Sequence, residues 1–376
     1  MKKIALMSFV VLNSLQVFAQ PAAPKGFEWS PVWGLTDEFN GFLNRERWYN
    51  YHPGWPGRLP SLFKKPDSKG NNPNVFTTNG KLALRSTLHK DPKKVKNPLK
   101  DHWVNAAAVV SKNKAAGPGM YFEARIKASN LSMTSSFWFR LGNYSEIDVI
   151  EHVGNPSNRS KASQEFEYAA NTHYYGQYRE VPRLGKKWIM PKRGREVFHN
   201  FGMFWAQDGK ELKFYYNGKQ VMKIIPRRPL LEKLHMIFDT EVFPFAQAGV
   251  AKIGLPRVGH LKNNKFNTML VEYVRTWSLQ KKKKGKKELS LEEVNISGVD
   301  NNIAIKQNPI KDNFAIIEGT NDVDVELYNL QGETVPSRIQ LGADEKSIIV
   351  DFDTSVVAGV YILKTASGKS LKIIKE

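Results

Sequence analysis

Ser145-Glu146-Ile147-Asp148-Val149-Ile150-Glu151-His152 places three carboxylates within a run whose other central positions are β-branched. β-Branched residues favour a pleated, half-buried strand, and a buried strand does not hold three charges without a use for them. Side chains alternate along a strand, so Glu146 and Asp148 share one face with Ile150 while Glu151 points the other way. One β-bulge between Asp148 and Glu151 repairs the parity and turns Glu151 to the side of the other two acids. Two carboxylates presented in that way suit cleavage of a glycosidic bond, one to attack or stabilise and one to protonate the leaving oxygen. A calcium site or a solvated edge strand is the alternative use of the same residues.

Outward from this run, residues from about Gly26 to Leu279 read as short alternating segments broken by Gly, Pro, Asn and Lys. Lys81–Arg85, Tyr121–Ile126, Lys213–Tyr216 and Val271–Arg275 are examples. Many short strands with turn signals between them predict an all-β fold, a β-sandwich or jelly roll. Asn217-Gly218 between Tyr216 and Lys219 predicts a two-residue hairpin. No long helical period is present.

The 376 residues, 41% of them apolar, allow one large domain and a smaller one. Residues 1–19 read as a signal peptide: Lys2 and Lys3, an apolar stretch from Ile4 to Val11, then Val17-Phe18-Ala19 before Gln20. That stretch is too short for a membrane anchor and runs into Asn13, Ser14 and Gln16, and no later segment is apolar enough to span a bilayer. The absence of cysteine excludes disulfides, a lipoprotein anchor and thiolate metal sites, and suggests an exported bacterial protein. Charge is divided unevenly. Residues 291–376 hold 8 Lys+Arg and 14 Asp+Glu, whereas residues 1–290 hold 48 and 22. A field so positive attracts a polyanion. No zinc finger, P-loop or RNP motif points to nucleic acid, so an anionic polysaccharide is expected, drawn in by a basic cleft. Basicity for solubility alone is the other reading.

The run Lys281–Lys287 is too like-charged to pack, and residues 281–301 read as a linker. Residues 302–376 alternate again in a second, small all-β module. This tail resembles the C-terminal sorting domain of the type IX secretion system of Bacteroidetes. The resemblance lies in Asn308-Pro309, Val325-Glu326-Leu327-Tyr328-Asn329-Leu330-Gln331-Gly332, Ala358-Gly359-Val360-Tyr361-Ile362-Leu363 and the Lys-rich end. It implies export by that machinery, with the protein secreted or held at the cell surface of a Gram-negative bacterium. A carbohydrate-binding module is the rival, but the tail offers few aromatic residues for stacking sugars.

Glu146-Ile147-Asp148-Val149-Ile150-Glu151 also resembles the bulged ExDxxE signature of glycoside hydrolase family 16. Supporting context comes from Ala107–Lys112, Gly119–Lys127, Ser135–Phe139, His199–Trp205 and Glu272–Trp277. The resemblance spans residues 20–280. It implies a concave jelly-roll cleft and a retaining mechanism, with Glu146 as nucleophile, Glu151 as acid/base and Asp148 assisting between them. No cofactor is required, although a structural cation on the sandwich is left open, and a monomer is expected.

The agar-degrading branch of this family contains β-agarases, which cut neutral agarose, and β-porphyranases, which cut sulfated porphyran. A guanidinium fork matches a sulfate ester as it does phosphate. Arg140, six residues before Glu146, and Arg58, in the Gly/Pro-rich stretch His52–Ser61, are the candidates; the resemblance to porphyranases favours Arg140 for a 6-sulfate. Arg140 pairing with Glu146 or another acid is the plainer alternative. Trp55, Trp138 and Trp103 are candidate platforms for sugar rings, while Trp48 and Trp205 read as core. His173 and Glu241 are further cleft candidates. The expected activity is endo-cleavage of β-1,4 linkages in porphyran. Agarose and κ-carrageenan are weighed as other substrates, and a non-catalytic galactan-binding lectin as another class.

Overall fold

The computed structural model describes residues 20–142, 144–243, 253–282 and shorter stretches between 304 and 375. The expected signal peptide (residues 1–19) and the linker from 283 to 301 lie outside the described residues. The chain divides into two compact units, residues 1–282 and 283–376.

In the first unit two antiparallel sheets form a jelly-roll sandwich. One has seven strands in the order Leu184–Ile189, Glu167–Tyr174, Ser145–Val153, Thr134–Leu141, His235–Asp239, Ala108–Ser111 and Trp48–Tyr49. The other has eight. Met120–Lys127 and Thr268–Lys281 lie at its centre, flanked by His199–Trp205, Leu212–Tyr216 and Lys219–Ile224 on one side and Leu82–Arg85 and Val75–Thr77 on the other; Phe27–Pro31 also pairs with Thr268–Lys281. Asn217 and Gly218 both take positive φ, 47° and 78°, and close the hairpin between Leu212–Tyr216 and Lys219–Ile224 as their sequence predicts.

Period-two alternation builds the core. Phe122, Ala124 and Ile126 from the eight-stranded sheet meet Phe137, Phe139, Ile147 and Val149 from the seven-stranded one. The rings of Phe122 and Phe139 lie 4.6 Å apart, and Phe137 stacks on Phe238 at 4.6 Å. Trp48 and Trp205 are buried here as expected. With one face of the seven-stranded sheet committed to this core, its other face is left to form a groove.

The second unit contains a four-stranded and a three-stranded sheet, both antiparallel, around Ile317, Leu327, Val350, Leu363 and Ile373. Among the described residues, no helix of either unit is long and apolar enough to cross a membrane.

Candidate active site

The bulge sits where the three acids require it. Trp138 faces Asp148 and Phe137 faces Ile150, so Val149 has no partner on that side; on the other side Asp148 faces Asn171 and Glu151 faces Ala169. Ile147, Val149 and Ile150 are all buried in the sandwich core. Two successive inward residues leave Glu146, Asp148 and Glu151 on the groove side, where they line one pocket with Trp55, Arg58, Trp138, Arg140, Asp239 and Glu241.

Each acid has a distinct environment. Arg140 lies opposite Glu146 across the strand pair, and its Nη1 donates to Glu146 Oε2 at 3.1 Å. The Tyr175 hydroxyl donates to Glu146 Oε1, also at 3.1 Å. Both oxygens of Glu146 therefore accept, one from a cation, as suits a carboxylate that attacks as an anion. Asp148 is 2% exposed, and burial followed by the charge of Glu146 pushes its carboxyl well above the usual range. Glu151 is also raised well above its ordinary value, by burial first and then by Asp148 and Glu146. Its Oε2 accepts from Asn171 Nδ2 at 2.6 Å. A carboxyl pushed towards its neutral form beside one that accepts from a cation is the division that acid and nucleophile roles require.

His173 lies opposite Glu146 on the next strand, with Nε2 3.3 Å from Asp148 Oδ2. The donor atoms of Glu146, Asp148 and His173 lie within 4.8 Å of one another. Carboxylates and an imidazole suit a divalent cation, but the Arg140 guanidinium already brings positive charge to this cluster.

Across the groove, Glu241 clips the His52–Ser61 stretch in place. Its Oε1 accepts from Trp55 Nε1 at 3.2 Å and from the Arg58 backbone N–H at 2.9 Å. Burial pushes Glu241 up to about 7 against the charge of Arg58. Gly57 has φ +90°, and a Cβ there would meet Phe63 N at 3.3 Å and Glu241 Oε1 at 3.4 Å, so the tight approach favours glycine. Arg58 places its guanidinium 5.6 Å from the Trp55 ring and 5.9 Å from Phe243.

Two expectations are corrected. Trp103 is not a sugar platform: it is 1% exposed, its Nε1 donates to the Pro98 carbonyl at 2.7 Å, and it packs in a satellite core with Phe63 and Leu131. Nor is the groove basic, since its lining sets five carboxyl groups against Arg58 and Arg140. For Arg140 the plainer alternative holds, because Glu146 takes Nη1 and the Gly142 carbonyl takes Nε at 3.0 Å. Trp138 does line the pocket, with its Nε1 tied to Asp239 Oδ2 at 3.0 Å.

Asn171, Tyr175 and Asp239 went unrecognised in the sequence, although parity could have found them. Asn171 and Tyr175 flank His173 at i±2, and Asp239 precedes Glu241 by two, so each shares a face with a residue already singled out. His52 was also missed. It stacks on Trp138 at 6.2 Å, and burial, then the charges of Arg140 and His235, lower it to about 4.

The family model for the GH16 domain of β-porphyranases A–D matches residues 29–279, and that for the secretion system C-terminal sorting domain matches 308–376. The chain belongs to the GH16 β-porphyranase family. This family member is a glycoside hydrolase, and its sorting domain marks it for type IX secretion, to be released or held at the cell surface. It is 27% identical to β-porphyranase B of Phocaeicola plebeius, over 69% of this chain and 87% of that protein. It is 26% identical to β-porphyranase E of Zobellia galactanivorans, over 68% and 90%. The crystal structure of a β-porphyranase from the human gut bacterium Bacteroides plebeius superposes with a TM-score of 0.56 at 27% identity, covering 70% of this chain and 96% of that one. β-Agarase A in complex with oligoagarose, at 17% identity and a TM-score of 0.58 over 71% and 98%, shares the fold.

Proposed function

We propose that this hydrolase cleaves β-1,4 linkages within porphyran, with retention of configuration. Glu146 attacks the anomeric carbon while Glu151 protonates the departing oxygen; Glu151 then takes a proton from the water that releases the glycosyl-enzyme. Burial and the charge of Glu146 push the Asp148 carboxyl well above its ordinary range, which favours its neutral form beside the nucleophile. His173 positions Asp148, and Trp55 and Trp138 offer ring faces to galactose. The proposed layout is a signal peptide at 1–19, the catalytic jelly roll at 20–280, a linker at 281–301 and the sorting domain at 302–376, acting as a monomer. Matches over 29–279 and 308–376 support it.

The sulfate assignment is carried by Arg58. Among the described residues its guanidinium has no hydrogen-bond or ion-pair partner, and it lies over Trp55 on the lining of the catalytic pocket. An agarase is the second reading, favoured by the commitment of Arg140 to Glu146, since a neutral substrate needs no guanidinium. Reducing-end release from porphyran, desulfated porphyran and agarose separates the two. Porphyran should be cut fastest, and Arg58→Ala should lower kcat/KM on porphyran by about tenfold, the worth of one charge-assisted contact, with little change on agarose. Equal or faster turnover of agarose by the wild type overturns the sulfate role.

A further inference from the structure

The positive surplus of residues 1–290 is not in the groove, so it lies elsewhere on the molecule. One cavity collects part of it on the outer face of the opposite, eight-stranded sheet. Leu82 and Leu84 point into the sandwich, as do Met269 and Val271; their strand neighbours Ala83, Arg85, Thr268 and Leu270 therefore face outward and line this cavity. Lys127, Asn130, Lys265 and Phe266 complete the part that matters here.

Arg85 is the centre. It lies opposite Thr268 across the strand pair, its Nε donates to Thr268 Oγ1 at 3.3 Å, and its guanidinium covers Phe76 at 4.6 Å. Among the described residues no carboxylate forms an ion pair with Arg85, Lys127 or Lys265. The one acid on the lining, Glu196, is paired with Arg193 at 2.8 Å. Burial lowers the Arg85 pKa with no opposing cause, so this partly buried cation lacks a compensating negative charge.

We propose that this cavity is a second, non-catalytic site that holds a sulfate ester of the galactan chain. The proposal rests on the reading of the substrate as a sulfated galactan. Arg85 supplies a planar fork, Lys127 and Lys265 mobile ammonium groups, and Phe266 an apolar face for the sugar bearing the ester. Since the groove lies on the other sheet, a short oligosaccharide bound there cannot reach this cavity, whereas a polymer or gel can engage it. The site therefore tethers the enzyme to polymeric substrate.

The test uses the full chain carrying Glu146→Gln, so that the polysaccharide stays intact, and measures retardation in gels containing porphyran or desulfated porphyran. Adding Arg85→Gln and Lys265→Gln should weaken porphyran binding about tenfold, the worth of one or two charge-assisted contacts, and leave desulfated binding unchanged. Lys127→Gln with Lys265→Gln leaves the Arg85–Phe76 stack untouched and should show the same direction, which guards against a folding defect. A charge-matched variant elsewhere, Lys210→Gln with Lys219→Gln, should retain binding. In the active background, kcat/KM should fall on polymeric porphyran and stay level on a porphyran tetrasaccharide. Unchanged porphyran binding overturns the site, as does an equal loss on desulfated polymer or in the charge-matched variant. Cleavage of porphyran by the wild type reports on the substrate reading separately; an enzyme that binds porphyran through Arg85 without cleaving it keeps the site and loses that reading.

Discussion

Glu146 and Glu151 are the same residue type five positions apart, and their surroundings differ in the way the proposed roles require. Glu146 accepts from Arg140 and Tyr175, whereas burial, then Asp148 and Glu146, raise Glu151 well above its ordinary range. Glu151→Gln is expected to lower turnover of porphyran by about 10²–10⁴-fold, the usual worth of a general acid, with binding retained. An aryl glycoside with a low-pKa leaving group needs little protonation, so the first step on that substrate should be largely spared. Glu146→Gln should abolish both substrates' turnover. If the aryl glycoside discriminates in the opposite sense, the two roles are exchanged. The pH profile gives a second check. With Glu151 as the proposed general acid, activity needs it protonated and should fall as pH rises through its elevated pKa. Glu241 contributes to that elevation, after burial, Asp148 and Glu146. Glu241→Gln removes one negative charge and should move the alkaline limb of kcat/KM to lower pH. A limb that moves up or stays in place excludes Glu241 as a contributor.

The bulged strand Ser145–Val153 is the element on which the site depends, and it was legible because three acids in a β-branched run cannot be accommodated in regular pairing. Deleting Val149 leaves Glu146-Ile147-Asp148-Ile150-Glu151, which alternates without a bulge and keeps all three acids on the groove side. The expected result is a folded protein that retains turnover, because no carboxyl enters the core. Ile150→Val, which keeps the bulge, should cost about 0.5–1.5 kcal/mol and leave the rate intact. Turnover lost together with a lowered Tm would mean that more than side-chain parity places the acids. Less was legible where orientation depends on a distant partner. Trp103 and Trp55 look alike in sequence, but Trp103 is drawn inward to the Pro98 carbonyl and a satellite core, while Trp55 is held at the groove by Glu241, 186 positions away. Arg140 was placed on the right face by parity; its commitment to Glu146 became visible only with the cross-strand register.

On the scale of the whole molecule, the catalytic unit gathers acids in its groove while its charge is strongly positive, and this separation has a cost that pH reveals. Asp148, Glu151 and Asp239 are raised well above their ordinary range, burial being the leading cause for each, and Glu241 is raised to about 7. A carboxyl raised in the folded state favours folding below its unfolded pKa of about 4, and that advantage is lost as pH climbs through the folded value. His52 and His152, each lowered to about 4 with burial the leading cause, act in the opposite sense. Their folded forms are neutral, so the stability they permit is complete above about 6.5 and is lost as pH falls from there towards 4. The two groups oppose each other between about pH 4 and 6.5. Above that range the histidines no longer change and the raised carboxyls set the trend. Tm should therefore decline from about pH 6.5 to 8.5, and Glu241→Gln should reduce the decline by removing one of the protons released. A Tm that rises over this interval would mean that the groove carboxyls are already ionised in the folded enzyme, and Glu151 would then have no proton to give.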